Sequence, residues 1–430
     1  MNNNIFNGSK KMTKVVILGG CGVVGRVVVD ILNKSPDFSQ VFIGDINSDK
    51  GNKMASEMGE KVQFLQVDAN DESSIKNAID GMDLVVNCIG PFYKYEKPIL
   101  SAVIDAKINY VDVCDDTGAT YDALELDGAA KEAGITALLG MGSSPGITNV
   151  LAAFAANYLL DECESIDMYH IHGGEPDEGP AVIGHRFYCM SNPIPMYLNG
   201  EAKQIQPENS EKHEEDIEFI NLPGKYHVYP YPHPEPITLP KYIEGVKRVT
   251  NKGSVLPERY YELTRKIHAA GLDSKDPLEV RDVEGKTCKV RPYDFAITYL
   301  IDQREKLLKE ENITDARGSV KIVVKGKKKR TGEERTYIFS LVSEGAAKGQ
   351  GLGEGTGMPA AFGAILIQRG KIDMKGVIPP EACVNAMDII QLMQELYQFD
   401  EKDEKKQSPI IFQSIDEEGN QKTLQLSDLL

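Results

Sequence analysis

The stretch best equipped for chemistry is "KVVILGGCGVVGRVVVDIL" at positions 14–32, where Gly20, Gly22 and Gly25 are spaced as G-x-G-x-x-G. That spacing suits a pyrophosphate: one glycine for a tight turn, one for backbone approach to the ligand, one for close helix–strand packing. The backbone N–H groups at the start of the following helix, around Val23 and Val24, would face the anion. "VFIGD" ends in Asp45, twenty residues after Gly25, where an acid meets a ribose 2′-hydroxyl. A glycine turn that serves packing alone is the competing reading. A carboxylate at position 45 repels a 2′-phosphate, and no Arg follows in "GDINSDKGNK". NAD is therefore expected over NADP, with Lys50 as the cation through which NADP stays possible.

A second group of reactive types stands further along. Asp112, Cys114, Asp115 and Asp116 in "YVDVCDD", with Tyr93 and Lys97 in "GPFYKYEK", are candidates for proton transfer. Neighbouring acids raise one another's pKa, which suits acid–base work; a solvated loop with a helix cap is the alternative. His170 and His172 lie at i, i+2 on one strand face, but no further ligands are spelled nearby, so no metal is expected. Arg186 in "GHRFY" has the fork that matches a carboxylate, against the reading of a surface Arg. Cys88 and Cys189 read as small buried hydrophobes. The seven cysteines show no C-x-x-C spacing, and their odd number fits reduced thiols in a cytoplasm.

These residues need elements to position them. "VVIL", "VFIGD", "VQFLQVD", "DLVVNCIG", "YVDV" and "ITALLG" read as strands, with helical periodicity between them. The alternation specifies an α/β fold with a doubly wound parallel sheet of Rossmann type. Ligands in such sheets sit beyond the carboxyl ends of the strands, which selects the loops 19–25, 45–48, 68–70, 87–95, 112–118 and 140–146. Asp68, Asn87, Gly90 and Pro91 thereby join the cofactor candidates. The expected division is an extension over 1–12, a nucleotide-binding domain over 13–146, a second domain over 147–354, and a segment over 355–430 that returns to the first. In the second domain, "SIDMYHIHGG" reads as a strand, and the proline series "YHVYPYPHPEPITLP" as an ordered loop over a cleft. "KGKKKR" reads as the solvated tip of a hairpin between "SVKIVV" and "RTYIFSLV".

Composition bounds the partners. The net charge of −17 argues against nucleic-acid and anionic-membrane surfaces, and no long uncharged apolar run is present. A small molecule is the expected partner.

"LLGMGSSPGITNVLA" (138–152), "HGGEP" (172–176), "ITLPKYIEGVK" (237–247) and "GTGMPAA" (355–361) resemble the saccharopine dehydrogenase family. Within it they are similar to the glutamate-forming reductases, the lysine 6-dehydrogenases and the carboxynorspermidine dehydrogenases. The resemblance implies a Rossmann domain interrupted by an α/β substrate and dimerisation domain, and a homodimer. It also implies NAD(P)-linked oxidation or reduction at the C–N bond of an amino acid or secondary amine. Carried over residue by residue, it places Gly90, Pro91 and Tyr93 under the nicotinamide. It places Pro145, Gly146 and Asn149 near the substrate, and Gly173 and Gly174 where backbone approaches the substrate. Fungal saccharopine-forming members carry an S-P-R-G type stretch that holds the substrate's carboxylates, whereas "FYCMSNPIPMYLNGE" here has no Arg. That departure leaves a smaller amine or amino acid open. An NAD-binding regulator without hydride transfer is the rival reading, and it would bind the nucleotide without turning over.

Overall fold

Val15, Val16, Ile17 and Leu18 are all buried, as a strand covered on both faces of a parallel sheet must be. In the computed structural model, which describes residues 13–174, 178–328, 331–344, 351–397 and 410–429, this run is β1 (Lys14–Leu18). The chain continues α1 (Val23–Lys34), β2 (Gln40–Asp45), α2 (Ser48–Met58), β3 (Val62–Gln66) and α3 (Glu72–Ile79). It then forms β4 (Leu84–Asn87), α4 (Phe92–Ala106), β5 (Asn109–Asp112), α5 (Thr117–Leu124), α6 (Asp127–Ala133) and β6 (Thr136–Leu138). The sequence reads as one helix over "ATYDALELDGAAKEAG", but there are two. Leu126 N–H bonds the Ala123 carbonyl, and that tightened turn ends α5.

A long excursion follows: α7 (Ile147–Phe154), β7 (Glu162–Gly173), α8 (Pro180–Ser191), β8 (Ile194–Leu198), β9 (Glu201–Ile205), β10 (Glu215–Glu218) and β11 (Lys225–Pro230). Next come α9 (Glu235–Thr238), β12 (Arg248–Leu256), α10 (Glu258–Ala269), β13 (Leu278–Arg281), β14 (Thr287–Val290), α11 (Pro292–Glu310), β15 (Arg317–Lys327) and β16 (Glu334–Glu344). The chain ends with α12 (Gly351–Gln368), β17 (Gly376–Ile378), α13 (Pro380–Cys383), α14 (Ala386–Tyr397), β18 (Ile410–Ile415) and β19 (Gln421–Leu424).

These elements fall into two units. The first holds the residues up to Cys114, then Gly118–Gly146 and Leu352–Val384; the second holds Asp115–Thr117, Ile147–Gly351 and the chain from Asn385. The first unit is built on a seven-stranded sheet of order β17-β6-β5-β4-β1-β2-β3, parallel at every pairing. Reversal of strand order on either side of β1 puts its carboxyl end, with the glycine loop, at a topological switch point. In α12, Gly353 and Gly357 lie against Val23 and Val24, where an added Cβ would come within 2.8 Å of Val23 Cγ1 and 2.7 Å of the Val24 carbonyl oxygen.

The second unit carries the ten-stranded sheet, with main path β10-β11-β12-β7-β15-β16-β18-β19. Tyr169, Ile171, Leu256, Val323 and Ile338 fill one of its apolar clusters. Ile183, Phe187, Tyr260, Tyr261, Ile297 and Leu300 join α8, α10 and α11 in another. The basic run sits where β15 turns into β16, an antiparallel pair; its residues 329–330 lie outside the described residues. So do the extension over 1–12 and residues 175–177, which include the end of "HGGEP". The expected return over 355–430 holds only in its first part. From Asn385 the chain goes back to the second unit, because β18 extends that sheet on β16. Among the described residues no helix is long and apolar enough to cross a membrane.

Candidate functional site

In the first unit, Gly22 caps α1 with an extended backbone, and no acidic residue occupies the helix's first turn. The positive end of the helix is left for an anion. A Cβ on Gly25 would stand 2.3 Å from the Gly19 carbonyl oxygen, so only glycine lets the helix start this close to the loop. The left-handed turn residue is Gly19, at φ +77°, rather than Gly20. Val23 is exposed and Val24 half-buried. Asp45, at the end of β2, accepts from Cys21 N–H (3.0 Å) and Asn47 N–H (3.0 Å), which holds its carboxylate against the glycine loop. A loop that only packed would have no use for an open helix end with an acid fixed beside it. Together these residues fit a dinucleotide.

The other strand ends divide. Asp68 accepts from the backbone and side-chain N–H groups of Asn70, which hold its carboxyl below the usual range. Gly90 is exposed, Pro91 is half-buried, and Tyr93 is 48% exposed on the first turn of α4. Lys97 is engaged by Asp122 and Glu125. Asn87 is no cofactor contact. Its fully buried side chain donates to Glu96 (3.1 Å) and to the Tyr110 hydroxyl (2.9 Å), and accepts from Ile89 N–H (3.0 Å).

Asp112 needs the same correction. It is 0% exposed, and its Oδ1 accepts from Cys114 N–H (2.8 Å) and Gly140 N–H (2.7 Å), tying the end of β5 to the loop after β6. A group so enclosed positions strand ends and meets no substrate. Its Oδ2 finds no donor among the described residues if both it and Glu96 are ionised. Burial pushes both carboxyls up, Glu96 further with the charge of Asp112 added, so one proton sits on Glu96 and is donated to Asp112. The sign follows from a folded pKa above the unfolded one. Stability from this pair is complete below the ordinary carboxyl range and is lost as pH rises through the raised values. Thermal melts are expected to show lower stability at pH 8 than at pH 5. Glu96→Gln, which keeps the donor without the charge, is expected to melt higher than the natural chain at pH 8, by about 3 °C.

The P-G turn is also architectural. Gly146 has φ +131°, and an added Cβ would lie 1.8 Å from the Gly142 carbonyl oxygen; Pro145 is buried beside it and accepts from Gly142 N–H. Gly146→Ala is expected to cost about 3 kcal/mol in denaturant unfolding, a strain and overlap effect. A substrate-contact role would instead raise KM at unchanged stability. Gly173 and Gly174 likewise have packing reasons. Cβ atoms there would meet the carbonyl oxygens of Leu256 at 2.3 Å and Asp315 at 2.4 Å, so these glycines let neighbouring backbone close in.

In the second unit the structure assembles a buried acid–base cluster that only partly coincides with the expected residues. His233 Nδ1 lies 2.9 Å from Glu235 Oε2, with His233 7% and Glu235 0% exposed. Thr148 Oγ1 bonds Glu235 Oε1 (3.3 Å) and Asn149 Oδ1 (3.2 Å), which brings Asn149 into the same network. The rings of His170 and Tyr231 stand 5.7 and 5.8 Å from that of His233. Burial alone would lower His233, but the charge and hydrogen bond of Glu235, with Asp115, outweigh it and hold the imidazole above its ordinary pKa. His170 is the opposite case, pushed down to about 3 by burial and by His233 and His172, and is neutral. Its ring fills the space over Gly253, where a Cβ would lie 1.9 Å from Nε2. Among the described residues no three groups are placed to hold a metal.

Asp115, three residues beyond the end of β5, belongs to this unit, and its charge acts on His185 and His233. Arg186 is not a waiting clamp. It is 4% exposed, and its guanidinium is forked onto Glu178 beside the Tyr260 hydroxyl, with Arg304 on the same carboxylate. His233, Glu235, Thr148 and Tyr231 escaped single-residue notice in the sequence. The signal was the "HPE" triplet inside the proline series.

Comparisons with known proteins agree along the chain. The profile of the saccharopine dehydrogenase NADP binding domain matches residues 15–138, and that of the saccharopine dehydrogenase C-terminal domain matches residues 142–398. Carboxynorspermidine synthase of Vibrio cholerae is 28% identical over 360 residues, 78% of this chain and 82% of that one. Carboxyaminopropylagmatine dehydrogenase of Synechocystis is 26% identical over 389 residues, 86% of this chain and 92% of that one. Saccharopine dehydrogenase (L-Glu forming) of Saccharomyces cerevisiae superposes with TM-score 0.66 at 17% identity, over 96% of this chain and 100% of that one. Homospermidine synthase of Legionella pneumophila, solved with NAD, gives 0.57 at 13% identity, over 90% of each chain.

Proposed function

The chain belongs to the saccharopine dehydrogenase family of NAD(P)-dependent oxidoreductases, and from that premise we propose that it acts on the C–N bond of a carboxylated polyamine, in the direction of imine reduction with NADH. The observation that carries the substrate class is the charge of the second unit's cluster. Glu235 and Asp115 act on His233, and Asp115 with the buried Asp116 acts on the nearby His185, while the buried Arg186 is committed to Glu178. Such a setting suits cationic nitrogens better than the several carboxylates of saccharopine. The names of the Vibrio and Synechocystis relatives, a carboxynorspermidine synthase and a carboxyaminopropylagmatine dehydrogenase, support the same class.

The dinucleotide supplies or accepts the hydride; the protein holds it and handles protons. Gly22, Gly25 and the open end of α1 would hold the pyrophosphate, and Asp45 the ribose hydroxyl. The family profile is named for NADP, but a carboxylate fixed at position 45 with no Arg behind it favours NAD. His233, kept protonated by Glu235, gives its proton to the imine nitrogen in reduction and takes it back in oxidation. Thr148 steadies Glu235 for that exchange.

The test is absorbance at the NADH band with purified protein and NAD, then NADP, against carboxynorspermidine, carboxyaminopropylagmatine, saccharopine and lysine. The expected result is turnover with a carboxylated polyamine and NAD. Turnover confined to saccharopine or lysine would overturn the substrate class, and binding of NAD with no turnover on any amine would favour the regulator.

A further inference from the structure

A thiol in the second unit has partners that packing alone does not need. On α8, Cys189 Sγ lies 3.4 Å from His185 Nε2, one helical turn away. The Tyr231 hydroxyl bonds the same sulfur. Cys189 also lines a cavity of 360 Å³ whose wall includes Met190, Ile194, Tyr231, Tyr261 and Arg265. Burial opposes charge on His185, yet the bond to Cys189 and the charges of Asp115 and Asp116 outweigh it and lift the imidazole to about 9. The groups acting on this pair are therefore Asp115 and Asp116 from the loop after β5, Tyr231 and His233 before α9, and Tyr261 on α10, while Arg186 on α8 acts on both tyrosines and Arg265 on Tyr261. A thiol bonded to an imidazole that nearby carboxylate charges keep protonated, on a residue that lines a cavity, is the arrangement of an activated cysteine.

We infer that Cys189 is a nucleophilic thiol that takes up small aliphatic aldehydes in this cavity as reversible hemithioacetals. The sulfur bonds the carbonyl carbon as the C=O π pair moves onto oxygen. The protonated His185 imidazole gives its proton to that oxygen and the thiol proton replaces it on the ring, so no oxidant or reductant is needed. The apolar wall of Met190, Ile194 and Tyr231 suits an alkyl chain, and 360 Å³ holds one of a few carbons.

The test is timed labelling of the native protein with iodoacetamide at pH 7, read by peptide mass spectrometry. Cys163 and Cys383 are internal references, because burial pushes each up to about 12. Cys189 is expected to label at least about 10-fold faster than either, and His185→Gln to slow it by about 10-fold while Cys288 is unaffected. A melt of His185→Gln confirms that the variant is folded. Excess propanal is expected to slow labelling of Cys189 alone, with the rate restored on dilution. Labelling of Cys189 no faster than the references, or unchanged in His185→Gln, would overturn the nucleophile. Fast labelling without protection by propanal would overturn the aldehyde assignment.

Discussion

His233→Asn is expected to lower kcat for imine reduction by about 10²–10⁴-fold, the usual contribution of a positioned acid, while NADH binds as before. Binding is expected to be unaffected because Gly22, Gly25 and Asp45, which we propose hold the nucleotide, belong to the first unit. The pH profile gives the sign. His233 is held above its ordinary pKa by Glu235 and Asp115, and reduction needs the protonated imidazole, so kcat falls as pH rises through that raised value. Glu235→Gln removes the carboxylate that bonds His233 at 2.9 Å, so the alkaline fall moves to lower pH. An unchanged kcat in His233→Asn, or an alkaline limb that Glu235→Gln leaves in place, would remove His233 from the proton path.

The second large effect concerns the cofactor. Asp45→Ala combined with Ile46→Arg is expected to turn a preference for NAD into one for NADP, shifting the ratio of kcat/KM values by about 100-fold or more. The change removes a carboxylate that repels a 2′-phosphate and adds a guanidinium that pairs with it. Steady-state kinetics with both cofactors read the result directly. A natural chain that already prefers NADP would show that Asp45, held by Cys21 and Asn47, turns away from the ribose.

What the sequence made legible is the part whose chemistry is local. The glycine loop, the strand before it and Asp45 lie within 32 residues, and each has a short-range reason visible in the letters. The parallel sheet followed from apolar runs such as Val15–Leu18, because burial on both faces leaves no other composition. What stayed hidden depends on long-range pairing. Asp112 reads as an exposed catalytic acid until Gly140 N–H and Glu96, far along the chain in either direction, are seen to enclose it. Asn87 likewise looks like a ligand at a strand end and proves to be committed to Tyr110 and Glu96.

The double glycine at 173 and 174 shows the same limit. A need for small residues is readable, but not whether a ligand or the Leu256 backbone demands it. His233 and Glu235 were visible only as an ordered, aromatic proline series. Their importance comes from Thr148 and Asp115, 85 and 118 residues upstream of His233, which the fold brings within bonding or electrostatic range of the pair.

The central claim, hydride transfer at a C–N bond, is tested most directly by following the hydride itself. The protein is incubated with NADH carrying deuterium at the transferable position, a diamine and a carboxylated aldehyde, and the products are analysed by mass spectrometry. The predicted result is a secondary amine with a single deuterium on the carbon attached to nitrogen. Deuterium on a carbinol carbon, from reduction of the aldehyde before any C–N bond forms, would contradict it.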